Sequence, residues 1–225
     1  MIRDRRRVTG IVVGGIVGIG LVSWGVISMA QTASSNRGDL LALGSPAPDF
    51  ALPDVVSDQT VSLDDVAGAN ALLVIFLCRH CPYVQHVKSV VGQVAKDYAA
   101  QGLAVVAISA NDAAAYPDDA PGVLKAMAQA EGYTFPFLYD ETQAVAKAYT
   151  ALCTPDPFLF DAQRRLVYRG QLDETRPGGR AGTGRDLRAA IEAVLAGRPV
   201  PTQQRPSVGC SIKWKPGQAP AYAQH

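Results

Sequence analysis

Two cysteines separated by two residues, Cys78 and Cys81, are the pair in this chain placed for local thiol chemistry. They enclose Arg79 and His80 and are followed at once by Pro82. Before them runs the stretch 71–77 (ALLVIFL), apolar throughout and of strand length, as expected for a strand buried on both faces. After them, residues 82–98 carry Val84, Val87, Val90, Val91, Val94 and Ala95 at helical spacing. The dithiol therefore falls on a strand-to-helix turn. A helix N-terminus offers unpaired N–H groups and the positive end of the macrodipole, and both stabilise a thiolate. Arg79 and His80 add positive charge, so the pKa of Cys78 is expected to fall and its nucleophilicity at neutral pH to rise. The spacing lets Cys81 attack a mixed disulfide on Cys78 and release the product. Pro82 suits the first helical turn, where its missing N–H costs nothing.

Other uses of two close cysteines fit less well. Zinc needs two more ligands; beyond His80 only Cys153, Cys210, His86 and His225 remain, and none forms a second pair. Haem attachment needs a His after the second Cys, where Pro82 stands. A purely structural disulfide closing so short a loop gains little. The expectation is a redox pair with no metal and no cofactor. The acid pairs Asp118-Asp119, Asp140-Glu141 and Asp173-Glu174 lie near loops or helix starts, where acids are ordinary. The glycine-rich stretch 178–184 lacks the Lys-Ser/Thr of a phosphate loop and reads as a flexible loop.

The elements that must hold the pair alternate along the chain. Turn chemistry at 44–48 leads into a short strand at 49–52, and another follows at 60–63. Beyond the first helix come a second buried strand at 103–109 (LAVVAIS), a helix at 121–131, a strand at 135–139 and a helix at 143–150. Strands at 158–160 and 166–168 flank a turn and form an antiparallel pair. The last helix, 184–196, has Leu187, Ile191 and Leu195 on one face. The order β-α-β-α-β-α-β-β-α implies an α/β fold of three layers around a central mixed sheet. This domain spans 44–200, preceded by a polar tether at 31–43 and followed by a Pro-, Gly- and Gln-rich tail, 201–225, expected to be irregular.

Composition narrows the setting. With 48% hydrophobic residues the 225-residue chain is not disordered, and a net charge of +1 without a basic block argues against nucleic acid as a partner. Charged residues make up only 18%, below the usual quarter for soluble domains. Arg3, Arg5, Arg6 and Arg7 outnumber Asp4, and residues 8–30 then carry no charge. As a helix that run is about 35 Å long, enough to cross a bilayer. The arginines hold the N-terminus in the cytoplasm, so the domain is expected outside it, in the periplasm or an equivalent space. The length of the run favours an uncleaved signal-anchor; Ser28-Met29-Ala30 offers cleavage after Ala30 and secretion as the alternative.

From about residue 44 to 215 the chain resembles the thioredoxin-fold family that groups AhpC/TSA and redoxin-type domains. More narrowly it resembles bacterial thioredoxin-like proteins with a Cys-x-His-Cys-Pro-Tyr-Val stretch. The resemblance rests on Ala47-Pro48-Asp49-Phe50, the run 78–84, Asn111-Asp112, Tyr116-Pro117, Asp140-Glu141-Thr142, Cys153-Thr154-Pro155, the run 168–172, Gly209-Cys210 and Lys213-Trp214-Lys215. It implies a thioredoxin-like fold with Cys78 as attacking thiolate and Cys81 as resolving partner. Thr154-Pro155 matches the cis-proline that faces the dithiol and presents backbone groups to an extended substrate. His80 matches the position that makes such pairs more oxidising, since a cation stabilises the reduced thiolate.

There are departures from the pattern. Thioredoxins carry Trp before the first Cys, Gly-Pro between the two and an acid in the preceding strand; here stand Leu77, Arg79-His80 and a strand without an acid. Peroxiredoxins carry Thr or Ser three residues before the reactive Cys, where this chain has Cys78 or Ile75. Arg169 is the arginine available to polarise a peroxide. The expected function is therefore an extracytoplasmic thiol-disulfide oxidoreductase acting on protein disulfides or thiols, reset by an unidentified electron donor. An AhpC/TSA-type thiol peroxidase is the alternative. A third reading is a non-catalytic metal-binding or interaction module using Cys78, Cys81 and His80 or His86. Within the inferred fold Cys153 lies beside the active site, and the expectation is a disulfide from Cys153 to Cys210 that pins the tail and Trp214 over the dithiol. Two unpaired thiols are the alternative, because pairings are not deducible from sequence.

Overall fold

The structure, a computed structural model, describes residues 40–224. The anchor expected at 1–30 and the tether up to residue 39 lie outside the described residues. No helix among the described residues is long and apolar enough to cross a membrane.

The run ALLVIF folds as the central strand of a five-stranded sheet. The strands are β1 (Ala51–Pro53), β2 (Thr60–Ser62), β3 (Ala71–Phe76), β4 (Leu103–Ser109), β5 (Phe137–Tyr139), β6 (Cys153–Thr154), β7 (Asp156–Phe160), β8 (Leu166–Tyr168) and β9 (Cys210–Ser211). The main sheet runs β5-β4-β3-β7-β8. β3 is parallel to β4 and β4 to β5, whereas β7 is antiparallel to both β3 and β8. This is the expected mixed sheet. β3 is apolar at every position because both its faces are covered: Leu73 and Ile75 point into one core, Leu72, Val74 and Phe76 into the other.

The first core is closed by α1 (Pro82–Ala99), α2 (Pro121–Ala130) and α4 (Arg185–Leu195), which contribute among others Val84, Val91, Leu124, Leu187 and Ile191. The second is closed by α3 (Ala144–Ala148), by Phe50 and by Ile212 from the tail. At its centre Tyr149 meets Phe76, Phe158 and Phe160 edge-on, with ring centroids 5.5–6.0 Å apart. Helices on both faces make the three layers.

The tail departs from its expected irregularity. Cys210–Ser211 form β9, which pairs antiparallel with β6, and Tyr222 is buried in a 3-10 turn at Ala221–Ala223. Neither β6 nor β9 is visible as periodicity, since two residues carry none.

Candidate active site

Leu77 extends the parallel pairing by donating its N–H to Ile108 O at 2.9 Å, and the chain then leaves the sheet. Cys78, Arg79 and His80 form the turn, Cys81 is the N-cap of α1, and Pro82 opens the helix. Both sulfurs are fully buried, and all four cysteines are free thiols, so the structure is the dithiol state. Thr154 lies against the pair. Its hydroxyl is 3.0 Å from Cys78 Sγ, and its carbonyl oxygen accepts from Cys81 Sγ at 3.1 Å. The Thr154-Pro155 peptide is cis.

One residue absent from the expected site organises the turn. Asp119 belonged among the ordinary loop acids, yet its side chain is completely buried. Its Oδ1 accepts the backbone N–H groups of Arg79 (2.7 Å) and His80 (3.0 Å). Its Oδ2 takes Asn111 Nδ2 at 2.8 Å and pairs with His80 Nδ1. The strand before the dithiol carries no acid, and the buried carboxylate beside the sulfurs comes instead from the turn ahead of α2. Its neighbours Asn111-Asp112 and Tyr116-Pro117 were part of the family pattern, and they were the only signal pointing to it. His80 stacks on Tyr116 (5.4 Å between centroids), Lys213 Nζ lies 5.5 Å from the Tyr116 ring centroid, and Arg79 reaches Asp118 at 3.4 Å.

The surroundings act differently on the two sulfurs. The hydrogen bond with Cys81, burial and the charge of Asp119 hold the Cys78 thiol above the ordinary cysteine range. Cys81 is lowered, because its sulfur takes hydrogen bonds from Cys78, from Cys210 and from the N–H of Val84. The contact with Thr154 O acts the other way and favours the protonated thiol. Cys81 stands at the N-cap, at the positive end of the α1 macrodipole, though its side chain makes no cap hydrogen bond. Arg79 and His80 face Asp118 and Asp119, so their charge is matched by acids and does not act on Cys78 alone.

The remaining expected residues separate into those brought to the dithiol and those kept from it. Cys210 is brought in, in register with Thr154, whereas Cys153 is in register with Ser211. Side chains alternate along a strand, so Cys153 and Cys210 lie on opposite faces of the ribbon and no disulfide joins them. The tail is held by amides instead. Asn111 Oδ1 accepts from Lys213 N (2.8 Å), Gln143 Nε2 donates to Lys213 O (2.9 Å), and Gln143 Oε1 accepts from Lys215 N (2.9 Å). Trp214 packs against the second core, not over the dithiol. Arg169 is engaged elsewhere: it donates to Thr150 Oγ1 (2.9 Å), approaches Asp156 (3.8 Å) and lies over the Phe158 ring (4.7 Å). His86 contacts Thr175 Oγ1 (2.9 Å). Cys78, His80 and Asp119 bring ligand-type atoms within 4.8 Å of one another, the grouping a metal-binding reading would use. Hydrogen bonds among Thr154, His80 and Asp119 already account for these atoms.

The backbone edge of Thr154, expected to receive substrate, is paired with β9 of the same chain. Beside it a shallow recess opens between Tyr83, His86, Pro155, Thr175 and Val208.

The comparisons agree with this architecture. The AhpC/TSA family matches residues 43–169. An uncharacterized conserved protein from Geobacillus kaustophilus is 51% identical, covering 80% of this chain and 95% of its own, with a TM-score of 0.77. A hypothetical protein from Sinorhizobium meliloti 1021 is 50% identical, covering 80% and 98%, also at 0.77. A thiol:disulfide interchange protein of the thioredoxin family from Chlorobium tepidum, at 21% identity, covers 68% and 98% with a TM-score of 0.53, and so shares the fold. No curated protein matches the chain. The sheet, with its CxxC pair between a buried strand and a helix N-terminus and a cis-proline facing that pair, has the thioredoxin-like fold, and the chain belongs to the AhpC/TSA family of oxidoreductases.

Proposed function

We propose that the protein is an extracytoplasmic thiol-disulfide oxidoreductase whose Cys78 and Cys81 cycle between dithiol and disulfide. The observation that carries this reading is the position of both sulfurs against Thr154, immediately before cis-Pro155. The thiolate on Cys81 attacks one sulfur of a partner disulfide, forming a mixed disulfide and releasing the partner's other sulfur as a thiolate. Cys78 then gives up its proton and attacks Cys81 Sγ; the bond between Cys78 and Cys81 forms and the second partner thiol leaves. The partner gains two electrons and the protein loses two, to be restored by an electron donor. Run in reverse, the same steps oxidise a partner dithiol. The arginine-flanked apolar run at 8–30 supports placement outside the cytoplasm, anchored by that run.

The peroxidase alternative loses its arginine, because Arg169 is engaged with Thr150, Asp156 and Phe158. The test uses the full-length reduced protein in detergent, offered either oxidised glutathione or hydrogen peroxide, with thiols quenched by alkylation and mapped. The expected result is a disulfide between Cys78 and Cys81 formed from glutathione disulfide, with peroxide acting no faster than on a small dithiol. Oxidation by peroxide orders of magnitude faster than that control replaces this reading with a peroxidase. In intact cells a membrane-impermeant maleimide is expected to label the protein; labelling only after lysis would refute the extracytoplasmic placement.

A further inference from the structure

The dithiol cycle leaves Cys210 without a part, yet the fold delivers it to the reacting sulfurs. β9 is registered so that Cys210 lies opposite Thr154, the residue whose hydroxyl meets Cys78 and whose carbonyl meets Cys81. Directly opposed residues of an antiparallel pair project to the same face. Cys210 accordingly packs on the apolar cluster that contains both dithiol cysteines, near enough to the Cys81 sulfur to act on its ionisation. The approach is closer than a side chain permits: a Cβ on Gly209 would stand 2.1 Å from Thr154 O and 2.6 Å from Thr154 C. Behind it, Asn111 and Gln143 hold residues 213–215, so the tail is seated rather than draped. Cys78 and Cys81 are fully buried, whereas Cys210 is half-buried and is the sulfur of the cluster that solvent reaches. Cys210 and its strand lie beyond residue 169, where the family match ends.

We propose that Cys210 is a third redox cysteine, a second resolving thiol for Cys81 carried on the tail strand. The inference rests on the cycling of Cys78 and Cys81 proposed above. In the oxidised protein the Cys210 thiolate attacks Cys81 Sγ; the bond between Cys81 and Cys210 forms, the bond between Cys78 and Cys81 breaks, and Cys78 leaves as a thiolate that takes up the proton Cys210 lost. No electrons enter or leave, so the disulfide moves from the buried pair to the solvent-facing sulfur. Burial and then the Cys81 thiolate hold the Cys210 thiol up at about 11 in the dithiol state. Oxidation of Cys81 removes the second of these and leaves the favourable charge of Lys213.

The test uses the full-length chain in detergent and oxidised glutathione, with acid quenching, alkylation and non-reducing peptide mapping. Cys78→Ser is expected to lose its glutathione adduct from Cys81 at least tenfold faster than Cys78→Ser/Cys210→Ser, leaving a crosslink between Cys81 and Cys210. In the wild type, quenched across a series of glutathione redox ratios, the same crosslink is expected alongside that between Cys78 and Cys81. Equal persistence of the adduct in the two variants, with Cys210 fully alkylated in Cys78→Ser and in the wild type, overturns the proposal. So does a crosslink of Cys210 to Cys153. If the wild type forms the Cys78 to Cys81 disulfide while Cys210 stays out of every crosslink, the dithiol reading stands and only the role of Cys210 fails. If the wild type forms neither, both fail.

Discussion

Replacing Asp119 with Asn keeps the size of the side chain but removes the negative charge beside Cys78. The Oδ1 position still accepts the N–H groups of Arg79 and His80, while an amide at the Oδ2 position meets Asn111 Nδ2 donor to donor. A buried mismatch of this kind costs about 1–3 kcal/mol. Asp119→Asn is therefore expected to lose stability in that range, measured by denaturant unfolding, and to bring the Cys78 thiol down. Cysteine-resolved alkylation against pH reads the second effect; a Cys78 titration unmoved in the variant would mean that the carboxylate has no hold on that sulfur. The dithiol itself was legible in the sequence, because strand, turn and helix are neighbours in the chain. Asp119 was not, since it lies 40 residues from Arg79 and a buried carboxylate has the same letter as a solvated one. Cys78 and Cys81 both border the helix, and the structure places Cys81 at its N-cap.

Among the elements, α4 shows a second buried acid at work. Asp173 accepts from Thr175, from Thr183 N (2.6 Å) and from Gly184 N (2.7 Å), tying the glycine-rich loop to the helix start. Burial alone would raise its pKa, but the hydrogen bonds outweigh it and hold the carboxyl at about 2, against 3.8 in the open chain. A group depressed in this way stabilises the fold above its unfolded value, and the gain is lost as pH falls from 3.8 through 2. Asp173→Asn is expected to cost about 2 kcal/mol near neutral pH, with the gap to wild type closing at the acid end. Unfolding curves at several pH values check this, and a gap that does not vary with pH would rule out the ionised form as its source. The reading of Asp173 and Asp140 as helix-start acids holds, since Asp140 accepts Ala146 N at 2.8 Å. The long elements were likewise legible, because burial on two faces or on one helical stripe writes a period into the sequence. β6 and β9 were not, because each is a two-residue strand defined by its partner.

At the scale of the molecule the tail and the active site are one hydrogen-bonded body: Asp119 holds Asn111, Asn111 holds Lys213, and Gln143 holds Lys213 and Lys215. Gly209 is where this body is tightest. A methyl group there would meet the Thr154 backbone, which has no flexible end to give way. Gly209→Ala is expected to part β9 from β6 while leaving the central sheet intact. Hydrogen exchange over 205–215 should rise at least tenfold, and alkylation of Cys210 should accelerate with it. Unchanged protection of that segment would show that the tail is seated by something other than this approach. Freed of its tail, the Thr154 edge becomes open to an extended partner. The same variant is then expected to reduce a protein disulfide with a lower KM, measured by insulin turbidity, if β9 and substrate compete for that edge.

From its order of residues alone this chain specifies a mixed α/β sheet, a dithiol at the end of its central strand and an arginine-flanked apolar N-terminus. Those features depend on neighbours in the chain and on periods of two and 3.6 residues, and a sequence displays both directly. Which acid faces the dithiol and which cysteine lies beside it were decided only when packing brought the turn ahead of α2 and the tail strand against the turn before α1. Contacts between residues far apart in sequence follow from how the two cores close, and no local pattern records them.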